Sequence, residues 1–112
     1  MILYHGTTKA IAHRILREGI RVDPKHIMAR NPSWTREFAE ELAKSEGMSL
    51  ATDPELAGQF GTVILRINLP VNWPLQHGSG WDEYQTFKDI PPKFIKVYKV
   101  QEKRVRTYRG TA

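Results

Sequence analysis

The sequence predicts an α+β domain: a split, mixed or antiparallel sheet with its helices near the N-terminus. Three observations lead there. The apparent element order is βα, α, β, α and then mostly β, which departs from the regular alternation of a doubly wound parallel sheet. A chain of 112 residues can bury one core and not two, so residues 1–112 are expected to form a single domain. With 40% apolar and 26% charged residues, and without repeats or low-complexity tracts, the composition is that of a self-folding globular protein.

The elements follow from local pattern. Ile2 to His5 is a short apolar run of strand type, ended by Gly6 and by two threonines able to cap a helix. Ala10, Ile11, Ile15 and Leu16 recur at near-helical spacing up to Gly19, predicting a helix over about residues 8 to 18. After an aperiodic stretch, Trp34, Phe38 and Leu42 repeat every fourth residue beside Ala39 and Ala43, predicting an amphipathic helix from about 33 to 45. Met48 to Ala51 reads as a brief strand. Asp53 followed by Pro54 is an N-cap with proline at the first helical position, opening a short helix to about Phe60. Thr62 to Leu69 is the strongest strand pattern, and Pro70 ends it. Pro74, Gly78 and Gly80 mark a loop that includes His77; a further strand is expected within 82–88, and a long, partly exposed one over about 94–101.

Charge and composition narrow the function without fixing it. Seventeen Lys and Arg against twelve Asp and Glu give +5, which favours encounters with polyanions such as nucleic acids and dinucleotides. The densest basic stretch runs from Lys93 to Arg109, and a solvated strand face explains it as well as a nucleic-acid groove does. The lack of cysteine excludes disulfides, thiolate catalysis and cysteine-ligated metals, and fits a cytoplasmic protein. No signal-like or membrane-spanning apolar run is expected.

The familiar dinucleotide, phosphate-loop, zinc-protease and nucleophile-elbow motifs do not occur. None of the four histidines has a partner at metal-ligand spacing, so no metal site is expected, and His13 is expected to face solvent. His5 stands apart, because it ends a strand and precedes Gly6, whose missing side chain lets a ligand approach the backbone. The competing account is a strand-end histidine bonded to a neighbouring carbonyl.

Taken in order, Tyr4-His5-Gly6-Thr7, a helix ending Glu18-Gly19-Ile20, the run from Ser49 to Ala57, and Glu83 followed by Ile90-Pro91-Pro92-Lys93-Phe94-Ile95 resemble the ADP-ribosyltransferase superfamily. The likeness covers roughly residues 3 to 97 and is nearest to the histidine-tyrosine-glutamate branch, among small enzymes similar to tRNA 2′-phosphotransferases and toxin-type DNA ADP-ribosyltransferases. The resemblance implies NAD as co-substrate. It sets His5 against the adenosine-side ribose and Gly6 against the nicotinamide carboxamide, with Thr7 completing the motif. Glu83, eight residues before Pro91, becomes the catalytic glutamate that bonds the nicotinamide ribose and stabilises positive charge as the glycosidic bond breaks. A surface carboxylate beside Asp82 is the plainer account of Glu83.

One position departs from the branch: Ser49 stands where tyrosine is usual, so the ring that stacks on nicotinamide must come from elsewhere. Phe60, Trp81 and Tyr84 are candidates, although Phe60 is expected in the core. Arg30 is a candidate for the pyrophosphate, since guanidinium offers a bidentate fork, and a solvated arginine is the alternative. The activity implied is transfer of ADP-ribose from NAD to a nucleic-acid or protein acceptor with release of nicotinamide. RNA 2′-phosphotransferase-like activity ranks second, because no basic N-terminal RNA-holding lobe is recognised. A non-catalytic basic module binding nucleic acid through Arg/Lys and an exposed Trp73 or Trp81 ranks third.

Overall fold

A computed structural model describes residues 1–23, 28, 33–45, 47–78 and 82–101. Six strands form one sheet: β1 (Ile2–Thr7), β2 (Met48–Ala51), β3 (Val63–Asn68), β4 (Gln76–His77), β5 (Glu83–Thr86) and β6 (Ile95–Val100). Their order is β4-β5-β2-β1-β3-β6, and every pairing is antiparallel, so of the mixed or antiparallel sheet expected the antiparallel form is observed. Three α-helices are described: α1 (Lys9–Glu18), α2 (Arg36–Ser45) and α3 (Pro54–Ala57). Among the described residues no helix is long and apolar enough to cross a membrane.

The helix boundaries have local causes. Thr8 caps α1, its side chain accepting from the Ile11 N–H at 3.3 Å, and Gly19 ends the helix at φ 87, which disfavours any other residue. Thr35 Oγ1 accepts from the Phe38 N–H at 3.1 Å, so α2 starts at Arg36 rather than at Ser33 as its periodicity suggested. Asp53 caps α3 as expected, accepting from the Glu55 N–H at 2.9 Å. The helix then tightens into a 3-10 turn over Gly58–Phe60, beside which the Gln101 amide donates to the Gly58 and Gly61 carbonyls.

The main core lies on one face of the sheet, where Ala12 and Ile15 of α1 meet Leu3, Leu50, Leu65 and Ile67. A smaller cluster of Ala51, Ala57 and Ile64, with Tyr4 and Leu56 against it, lies on the other face beneath α3. Ile20 and Ile90 exchange two main-chain hydrogen bonds of 2.9 Å, latching the end of α1 to the Ile90-Pro91-Pro92 segment. Asp89 completes the latch by accepting from the Val22 N–H at 2.7 Å and pairing with Arg21 at 3.1 Å. β5 closes early, because Thr86 Oγ1 donates to the Lys88 carbonyl and accepts from the Lys88 N–H, turning the chain.

Candidate functional site

The sheet consists of two sub-sheets joined at a narrow seam. β1 and β3 share six register pairs and β2 and β5 share four, whereas β1 meets β2 in a single pair, Tyr4↔Ala51. His5, Gly6 and Thr7 follow that pair on β1, facing the Ser49 end of β2 across the seam.

His5 is half-buried, and its Nδ1 lies 3.3 Å from the Ser49 carbonyl oxygen. A carbonyl only accepts, so Nδ1 carries the proton in this contact. β1 runs on to Thr7, so His5 lies within the strand rather than at its end as expected, and its ring touches the Ser49 carbonyl across the seam.

Glu83 opens β5 opposite Ala51, in line with Tyr4 across three strands. Gly78 makes room for it: a Cβ there would stand 2.5 Å from the Glu83 carboxylate, so that carboxylate packs flat against the Gly78 backbone. Beside it, the His77 and Tyr84 rings lie 4.6 Å apart at 34°. His77 therefore belongs to β4, paired with Tyr84, rather than to the loop in which the sequence placed it.

His5 and Glu83 stand two strand spacings apart, roughly 10 Å, with β2 between them. They also occupy alternate pleats. His5 pairs with Leu65 of the main core, whereas Glu83 pairs with Ala51 of the smaller cluster. Their side chains therefore leave opposite faces of the sheet, and the fold does not bring them together on one face. Ser49 is exposed at that seam, opposite Gln85.

The expectations for Phe60 and Trp73 change, and Gly6 gains a second reason to be glycine. Gly6 has a packing reason to be glycine, since any Cβ there would run into the main-chain carbonyl of Ala57 at the end of α3. Phe60 is 71% exposed, so it is not a core residue; the 3-10 turn directs it outward beside β1. Tyr84 packs against the main core, as does Trp73, whose Nε1 donates to Thr86 Oγ1 at 3.2 Å; Trp73 is therefore not the exposed stacking ring expected of it. Arg30 and Trp81 lie outside the described residues. His13 is exposed, and among the described residues no group of three or more His, Asp or Glu is placed to hold a metal ion.

Sequence alone did not single out Gly78 as the residue that seats Glu83, nor the cross-strand row through Tyr4. The only available signal was the glycine five residues before the glutamate. At the level of class, the protein is a small α+β domain with a six-stranded antiparallel sheet. No protein-family model, curated protein or solved structure matches the chain.

Proposed function

We propose that this domain binds NAD at the β1/β2 seam and transfers its ADP-ribosyl group to a macromolecular acceptor, releasing nicotinamide. The observation that carries the reading is the seam itself, which sets the end of the Tyr4-His5-Gly6-Thr7 strand and Glu83 on either side of β2. The resemblance assigns those two segments to the two riboses of one dinucleotide. In this reading the His5 ring, oriented by the Ser49 carbonyl, lies against a ribose of the dinucleotide. Glu83 accepts from the nicotinamide ribose and stabilises the cationic sugar as the bond to nicotinamide breaks. An acceptor nucleophile then takes the anomeric carbon.

The test is calorimetric titration of NAD into the wild-type protein and Glu83→Gln, followed by chromatography for nicotinamide. Glutamine keeps shape and hydrogen bonding but removes the charge. The expectation is binding by both proteins and a loss of nicotinamide release of roughly 100-fold or more in the variant, the size typical of losing one preorganised electrostatic contact. Failure of the wild-type protein to bind NAD would sink the reading.

A further inference from the structure

The register pairs continue beyond the seam into one row across five strands: Glu83, Ala51, Tyr4, Arg66 and Lys96 lie directly opposite one another in turn, on the same face of the sheet. Two like charges, Arg66 and Lys96, are thus placed side by side, an arrangement that works against the sheet. Both are exposed, and neither side chain has a hydrogen bond or ion pair among the described residues. No acidic residue occurs anywhere in β1, β3 or β6 to offset them.

The β6 edge adds to this face through a register shift at Ile64/Leu65. Strict alternation would put Lys99 on the opposite face from Lys96 and Tyr98. Because of the irregularity, Leu65 pairs with Val97 and Ile64 with Lys99, so Lys99 shares the face of Lys96. Tyr98, the extra residue, is 49% exposed, and its ring meets that of Tyr4 edge-on at 5.2 Å. The outcome is a solvent-exposed cluster of Arg66, Lys96 and Lys99 around Tyr98, whose ring meets Tyr4, on the face that also carries α3.

We infer that this β3–β6 face is a docking surface for single-stranded nucleic acid. Three cations without a side-chain partner among the described residues call for a polyanion, and the charge complementarity is to phosphodiesters rather than to a single small anion. Beyond its contact with Tyr4, a half-exposed ring among cations offers a face for stacking, which unpaired bases can use and the enclosed bases of a duplex cannot. The surface is independent of NAD chemistry and does not use Trp73 or Trp81.

The experiment is fluorescence anisotropy of a labelled oligothymidylate with the full chain over a salt series. Affinity is expected to fall with salt, and Arg66→Ala/Lys96→Ala/Lys99→Ala should flatten the log–log slope by up to about 2, since each contacted phosphate contributes roughly 0.7 for single strands. Tyr98→Ala should weaken binding roughly 10-fold through lost stacking. Arg66→Glu separates binding from folding: it places a carboxylate opposite Lys96, so the melting temperature should hold or rise while oligonucleotide affinity drops more than 10-fold. Retained affinity and slope in the triple variant would overturn the inference. So would loss only on neutralising Lys103, Arg104, Arg106 and Arg109, or equal binding of a labelled polyglutamate. NAD titration of the triple variant and oligonucleotide titration of Glu83→Gln should both match wild type, so that failure of either reading is seen separately.

Discussion

An alanine at position 6 would aim its Cβ at the Ala57 carbonyl, a main-chain group that cannot rotate away as a side chain could. Gly6→Ala must therefore shift α3 off β1, and overpacking of this kind costs about 1–3 kcal/mol. A urea melt should show a lowered midpoint with little change in slope. If the variant melts like wild type, α3 yields easily and the glycine is kept for something other than packing. Gly78→Ala differs in kind, because the nearest atoms its new Cβ meets belong to the Glu83 side chain, which can swing aside. Stability should change by less than about 1 kcal/mol, while nicotinamide release under the proposed chemistry should suffer as the carboxylate leaves its seat. The two glycines show why sequence could not settle the site: each has the same letter, and only the neighbouring chain reveals which one answers to packing and which to a carboxylate.

Among the elements, those read correctly from sequence were those whose determinants are local. Thr8, the apolar spacing and Gly19 define α1 within ten residues, and Asp53-Pro54 starts α3. Features that the sequence did not show depend on distant partners: the irregularity that turns Lys99 belongs to the β3–β6 pairing, and the exposure of Phe60 depends on a turn pinned by Gln101. Strand order was likewise invisible, since β1 pairs with segments more than forty residues away. The seam between β1 and β2 has a dynamic consequence. One register pair holds β2 to β1 against six holding β3, so the β4-β5-β2 unit should open before the β1-β3 ladder does. Native-state hydrogen exchange should find the β1 and β3 amides slowest and the β2 and β5 amides measurably faster. Uniform protection across all four strands would mean that the apolar contacts of Met48 and Leu50 outweigh the thin ladder.

For the whole molecule, the joint of the two sub-sheets makes ligand binding and stability one question. A dinucleotide bound at the seam would touch β1 on one side and β5 on the other, adding contacts between units that share a single register pair. Any ligand that binds only the folded state stabilises it by mass action, about 2.7 kcal/mol at a hundred times its dissociation constant. For a chain of 112 residues that corresponds to a rise in melting temperature on the order of 10 °C. NAD at such an excess should also slow exchange of the β2 and β5 amides toward the rate of β1 and β3, because the seam would no longer open without releasing the ligand. An oligonucleotide on the β3–β6 face should raise the melting temperature too, but it lies on one sub-sheet and leaves the difference in exchange between the two intact. A melting shift with NAD that leaves β2 and β5 as fast as before would place the dinucleotide away from the seam, and Glu83 would then have no part in holding it.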